Sequence, residues 1–245
     1  MNQLHFGCAT HIGLVRRRNE DSYGMDEQQK LWLVADGLGG HDAGDVASQI
    51  AVEQILNKVR LGANLEDAIS SAHTAILEAA NHGIGRPEMG TTAVALKINN
   101  SDYEIAWVGD SRAYLWNGEN LVQISRDHTV VQELVDQGFL PAERLKDHPY
   151  SNILNRTLGV TYDRPLNIEK ISGSLNGNEV FLLCSDGLTN ELDDTVINEV
   201  LREPGNEQDK VNKLVELALS SGGSDNITAI LVNTTSSFNG QALPK

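Results

Sequence analysis

Two apolar runs, Leu31-Trp32-Leu33-Val34-Ala35 and Val180-Phe181-Leu182-Leu183-Cys184, carry no charge and give way almost at once to an aspartate followed by glycine. The first leads into Asp36-Gly37 and the second, after Ser185, into Asp186-Gly187. Short runs of this make-up, closed by a turn signal, read as buried strands. A carboxylate just beyond a buried strand is held rigidly, and the glycine after it lets the backbone approach a ligand, so that its carbonyl can serve as a further hard oxygen donor. Oxygens of this kind suit Mg²⁺ or Mn²⁺. One Asp-Gly pair alone is more simply a turn; two matched pairs, joined by Asp225-Asn226 and Glu20-Asp21, favour a metal site.

Further strands are expected over 91–98, 103–108, 113–116 and 227–232, where β-branched and apolar residues end in turn signals. Asn117-Gly118 marks a hairpin, with Val122 and Ile124 on the returning strand. Helical spacing is clearest in Leu65, Ala68, Ile69, Ala72 and Ile76, behind Asn64 as N-cap and with Glu66 and Asp67 in the first turn. A second stripe runs through Ala47, Ile50, Ala51, Ile55 and Val59. A third, Val211, Leu214, Val215, Ala218 and Leu219, stops at Gly222-Gly223. Strands grouped in hairpins beside paired helices predict an α+β fold rather than regular βαβ alternation.

The spacing also predicts a helix over 129–137, next to a stretch, 138–165, that lacks periodicity and contains Pro141, Pro149 and Pro165. The last residues, 236–245, read as a loose polar tail. The 245 residues are expected to form one domain over 1–235, since 40 % apolar content supplies a sizeable core and no linker divides the chain.

A net charge of −15, from 34 acidic against 19 basic residues, disfavours nucleic acid as a partner. Cys8 and Cys184 are the two cysteines, too few for a disulfide framework or a zinc site, and both read as reduced, buried small hydrophobes. No apolar run approaches the roughly 18 residues of a membrane span, and no leader segment is evident at the start. A cytoplasmic protein without membrane attachment is the expectation. The chain has no phosphate-binding Gly-x-x-x-x-Gly-Lys-Ser/Thr loop, no His-Glu-x-x-His zinc helix and no Gly-x-Ser-x-Gly elbow, which leaves metal-activated water as the best-supported nucleophile.

In order along the chain stand Val15-Arg16-Arg17-Arg18-Asn19-Glu20-Asp21-Ser22, Val34-Ala35-Asp36-Gly37-Leu38-Gly39-Gly40-His41, Met89-Gly90-Thr91-Thr92, Val108-Gly109-Asp110-Ser111-Arg112, Arg126-Asp127-His128, Cys184-Ser185-Asp186-Gly187-Leu188-Thr189 and Ser224-Asp225-Asn226-Ile227-Thr228. Together these resemble the protein phosphatase 2C family of metal-dependent protein phosphatases, in its compact bacterial form, from Gly13 to about Val232. The resemblance implies a four-layer sandwich of two mostly antiparallel β-sheets flanked by α-helices on both faces. It implies hydrolysis of phosphoserine and phosphothreonine in proteins by a water bridging two cations, Mn²⁺ or Mg²⁺.

The roles follow by resemblance, residue by residue. Asp36 bridges the two cations, the Gly37 carbonyl completes one site, and Asp186 and Asp225 complete the other. Glu20 and Asp21 act behind them, through water. Arg16 grips the phosphate, whereas Arg17 and Arg18 read as solvated charges. Asp110, shared with Asp186, matches a position for a third cation, and Asn190 stands where animal members tend to have an aspartate. His41 is a candidate general acid, with a supporting role as the open alternative; His128 reads as structural. The segment 138–165 matches a flap beside the active site. Phosphorylated proteins are the implied substrates, a bacterial serine/threonine kinase the implied opponent, and a monomer the implied state. Two other readings stay open: a binding module without activity, disfavoured by the presence of every core acid, and a phosphatase for small metabolites.

Overall fold

A computed structural model describes residues 4–38, 43–146, 148–161 and 165–234. The expected 236–245 tail lies outside them. One sheet has the order β1–β11–β10–β7–β8, built from β1 (His5–His11), β7 (Arg112–Trp116), β8 (Leu121–Gln123), β10 (Val180–Cys184) and β11 (Ile227–Asn233). The second has the order β2–β3–β5–β6–β9, from β2 (Asp21–Asp26), β3 (Leu31–Leu38), β5 (Ala93–Asn99), β6 (Asp102–Val108) and β9 (Glu169–Ser174), with the short β4 (Gly90–Thr91) pairing the end of β3. Every pairing is antiparallel.

Alternation along the strands explains how the sheets stack. In β3, Trp32 and Val34 join Phe181, Leu183, Ile230 and Val232 of the other sheet in a core between the sheets. Leu31, Leu33 and Ala35 point the other way, against the apolar stripes of α1 (Gly44–Arg60) and α2 (Leu65–Asn81). Leu182, Cys184, Ala229 and Leu231 likewise meet Ile197 and Leu201 of α5 (Asp194–Arg202) and Leu214 of α6 (Glu207–Ser221). The result is the expected four-layer sandwich.

The three expected helices form where the stripes lie. Asn64 caps α2 by accepting from the Asp67 N–H, and α6 stops at Gly222. The hairpin at Asn117-Gly118 joins β7 to β8, and the 129–137 helix appears as α3 (Val130–Asp136), capped by Thr129. Three strands were not expected from the sequence, β1, β2 and β9, and the strand expected over 91–98 is broken at Thr92 into β4 and β5. Each of the three unexpected strands carries polar residues or glycine that blur the pattern, and β9 is largely exposed. Cys184 is buried and free, as expected, whereas the free Cys8 is only part-buried: it lies on β1, at the edge of its sheet.

Candidate metal centre

The period of two that buries Trp32 and Val34 between the sheets directs the next residue of that face, Asp36, to the rim of the same layer. Asp36 is not beyond the strand, as its position after the apolar run suggested: β3 continues to Leu38. It does so because Asp36 pairs with Asp21 of β2, and Gly37-Leu38 pair with Thr91-Gly90 of β4. The Asp36 backbone is held twice from the side of Thr92, whose N–H donates to the Asp36 carbonyl at 2.8 Å and whose Oγ1 accepts the Asp36 N–H at 2.9 Å.

The other sheet supplies the facing acids. Asp186 opens the one-turn helix α4 (Asp186–Thr189) just after β10, and Asp225 stands two residues before β11. Ser185 links the halves: its Oγ donates to Asp21 Oδ2 at 2.7 Å and accepts the Thr228 N–H at 2.9 Å. Asn190 Nδ2 donates to Asp186 Oδ2 at 3.0 Å. Asp36, Gly37, Asp110, Asp186, Asp225 and Glu20 line one cleft of about 420 Å³ at the end of the sandwich.

Arg16, Arg17 and Arg18 line the same cleft. Their loop is fastened by Asn226, whose side chain donates to the Ile12 and Arg18 carbonyls at 2.8 and 2.9 Å and accepts the Glu20 N–H at 2.8 Å. Arg16 reaches Asp225 at 2.6 Å, and Arg18 stands 3.8 Å from Asp45. Arg17 and Arg18, read from the sequence as solvated charges, are exposed and yet form part of the cleft wall.

Burial dominates the electrostatics of the site, and the crowding of carboxylates adds to it. Burial, then the charges of Asp21, Asp186, Asp110 and Asp225, hold the Asp36 carboxyl well above the usual range. Burial, then Asp186 and Asp127, do the same for Asp110, and burial with Asp225 raises Asp186. Burial pushes Asp21 up to about 7, against the lowering effect of the nearby Thr228 and Ser185 hydroxyls. Asp21 Oδ1 is buried with no hydrogen-bond partner.

These features fit hard divalent cations. The donors are all oxygens, the acids repel one another, and a buried carboxylate oxygen is left unpaired, a costly state that a nearby positive charge relieves. Among the described residues, no three His, Cys, Asp or Glu side chains already surround one point as a complete ligand set. The backbone of Gly37, on the cleft wall, adds a carbonyl oxygen to the donors available there.

Of the residues singled out in the sequence, Arg16, Glu20, Asp36, Gly37, Asp110, Asp186 and Asp225 share the cleft, while Asp21 stands behind it. His41 lies outside the described residues. A second cavity of about 550 Å³ adjoins the first, shares Asp110, Asn152 and Asp186 with it, and extends to Lys146 and Asp193. Asn152 and Leu154, from the 138–165 segment, line the cleft. The sequence reading missed the bracing roles of Asn226, Asn190 and Ser185. Ser185 and Asn226 stand beside a motif aspartate and Asn190 four residues after one, and such a place does not reveal what a side chain will reach.

Known proteins share the family and the fold of this chain. A family model for protein phosphatase 2C matches residues 15–217. The serine/threonine phosphatase Stp of Listeria monocytogenes is 36 % identical over 242 residues, covering 94 % of this chain and 95 % of that protein. The crystal structure of the Mycobacterium tuberculosis serine/threonine phosphatase PstP/Ppp superposes with a TM-score of 0.86 at 32 % identity, covering 95 % of this chain and 99 % of the other. The catalytic domain of PstP in complex with two manganese ions gives 0.83 at 31 % identity, covering 95 % and 98 %.

Proposed function

This chain belongs to the protein phosphatase 2C family, and on that premise we propose that the acidic cleft between its sheets is the catalytic centre of a metal-dependent protein serine/threonine phosphatase. The observation that carries the assignment is the convergence of Asp36, Gly37, Asp186 and Asp225, from both sheets, on a cleft walled by three arginines. Asp36 and the Gly37 carbonyl on one side, and Asp186 and Asp225 on the other, are the residues that would hold two divalent cations, Mn²⁺ or Mg²⁺, with Asp110 available to a third. Bound there, such ions supply an acidified water as nucleophile and offset charge developing at phosphorus.

The chain's own residues do the rest. Arg16 presents a planar fork of donors suited to phosphate oxygens. Its exposed pair with Asp225 is weak enough to be exchanged for that ligand. Asn226 keeps the arginine loop on the cleft, Asn190 orients Asp186, and Ser185 orients Asp21. Glu20 and Asp21 act behind the ligands. His41 is the candidate proton donor to the departing serine or threonine oxygen.

The proposal extends to a single catalytic domain over 1–235 with 138–165 as its flap, a serine/threonine kinase as opponent, a monomer and a cytoplasmic location. The names of the bacterial relatives, serine/threonine protein phosphatases, support phosphorylated proteins as the substrate class. Turnover of phosphoserine, phosphothreonine and phosphotyrosine peptides, alongside sugar and nucleotide phosphates, tests the activity with Mn²⁺, Mg²⁺ or excess chelator. Metal-dependent turnover of the phosphoserine and phosphothreonine peptides is expected. A clear preference for the small phosphates would move the substrate class, and full activity under chelation would remove the metal mechanism.

A further inference from the structure

Among the described residues one histidine is buried, His128, and it is not one of the residues that line the cleft described above. It is bonded on both sides of its own residue to Gly109. The His128 N–H donates to the Gly109 carbonyl at 3.0 Å, and the ring Nδ1 faces the Gly109 N–H at 3.1 Å. A backbone N–H can only donate, so Nδ1 is the acceptor and the ring proton sits on Nε2. Nε2 stands 3.2 Å from Glu169 Oε1, which also accepts from Arg156 Nη1 at 2.9 Å. Burial lowers the basicity of the ring, in keeping with this neutral form.

Gly109 immediately precedes Asp110, and its backbone leaves no slack. It adopts a φ of +105°, and a Cβ there would fall 2.5 Å from Thr92 Cγ2, on the residue that also holds the Asp36 backbone. Whatever clamps Gly109 therefore sets where Asp110 stands. On its other side His128 is joined to the middle of the flap segment: its carbonyl accepts the Asn155 N–H at 2.9 Å, and Val130 N–H donates to the Ile153 carbonyl at 2.8 Å. Leu154, between these two, lines the cleft.

We propose that His128 is a positioning residue that ties the middle of the flap to the Asp110 turn, acting through its ring bond to Gly109 and setting turnover rather than phosphate affinity. The inference rests on the phosphatase reading of the cleft. The test compares His128→Ala, His128→Asn and His128→Gln. Asparagine can place Oδ1 where Nδ1 was and keep an acceptor for the Gly109 N–H, while losing Glu169. Glutamine can reach toward Glu169 and leaves that N–H unpaired.

With saturating Mn²⁺ and a phosphothreonine peptide, His128→Ala and His128→Gln should lose roughly 10- to 100-fold in kcat with KM within about twofold, the scale expected when a catalytic group is misplaced. His128→Asn should recover most of that kcat at a melting temperature no higher than that of His128→Gln. Equal losses in the asparagine and glutamine variants, recovery by glutamine instead, an unchanged kcat in His128→Ala, or failure of both amide variants to fold would each overturn the proposal. Absence of activity in the wild-type protein would instead overturn the phosphatase reading, so the two failures are distinct.

Discussion

Arg16 stands between two partners of like charge: the Asp225 carboxylate 2.6 Å away and, in the proposed mechanism, the substrate phosphate. Because phosphate is gripped both before and during the reaction, Arg16→Ala should chiefly raise KM, by roughly 10- to 100-fold for the loss of a charge-assisted hydrogen bond. The Mn²⁺ needed for half-maximal rate should not rise, since Asp225 loses a competing cation. Steady-state kinetics across peptide and metal concentrations measures both, and an unchanged KM would hand the phosphate to Arg17 or Arg18. His41 is separable by leaving group. A serine or threonine alkoxide needs a proton, whereas p-nitrophenolate departs without one. If His41 is the general acid, His41→Ala slows phosphopeptide hydrolysis by roughly 10²- to 10⁴-fold and p-nitrophenyl phosphate far less. Equal losses on the two substrates would leave it a supporting residue.

At the scale of elements, the site depends on how closely α1 approaches the end of β3. A Cβ at Gly37 would fall 2.2 Å from the Gly44 carbonyl oxygen and 2.5 Å from that of Glu20, both backbone atoms that move only with their elements. Gly37→Ala should therefore cost about 1–3 kcal/mol or more, as overpacking does, and weaken metal-dependent activity together with stability. Urea unfolding and a Mn²⁺ titration of turnover read the two effects; wild-type values in both would show that the approach is looser than it stands here. Asn226 braces a different contact. Its three hydrogen bonds hold the 12–20 loop, and Asn226→Ala removes the partner of three part-buried backbone groups, at about 1–3 kcal/mol, while raising KM through the displaced arginines. A stability loss with KM unaltered would separate the loop from phosphate binding.

For the molecule as a whole, with a net charge of −15, the acids that matter most for stability are those buried where the two sheets end. Asp21, raised by burial first and then held against its hydrogen bonds, titrates at about 7 in the folded protein. In the unfolded chain it has the ordinary value near 4. The folded state thus binds a proton that the unfolded state lacks between these values. The resulting stability is fully present below the unfolded value and is lost as pH rises through about 7. Asp36, Asp110 and Asp186 shift in the same direction. Metal-free protein should accordingly melt at a higher temperature at pH 6 than at pH 8, and saturating Mn²⁺ should stabilise it more at pH 8, where the carboxylates are charged. Calorimetry with and without chelator checks this; a metal-free melting temperature that rises from pH 6 to pH 8 would contradict the cluster as described.

Local order was legible in the residues wherever one element could satisfy itself. The stripe from Leu65 to Ile76 with Asn64 before it, and the runs into Asp36 and Asp186, announce helix or strand because spacing, capping and side-chain shape are properties of neighbours in sequence. The motif aspartates and Arg16 were legible too, through their order along the chain. β1, β2 and β9 were not, since the polar residues and glycines of these strands become strand only by pairing with β11, β3 and β6. The extension of β3 through Asp36, the anchoring of the arginine loop by Asn226, and the clasp of His128 on Gly109 were equally out of reach. Each joins residues distant in sequence, and a hydrogen bond of that kind is decided by which strands stack and in what register, a choice made by the core between the sheets.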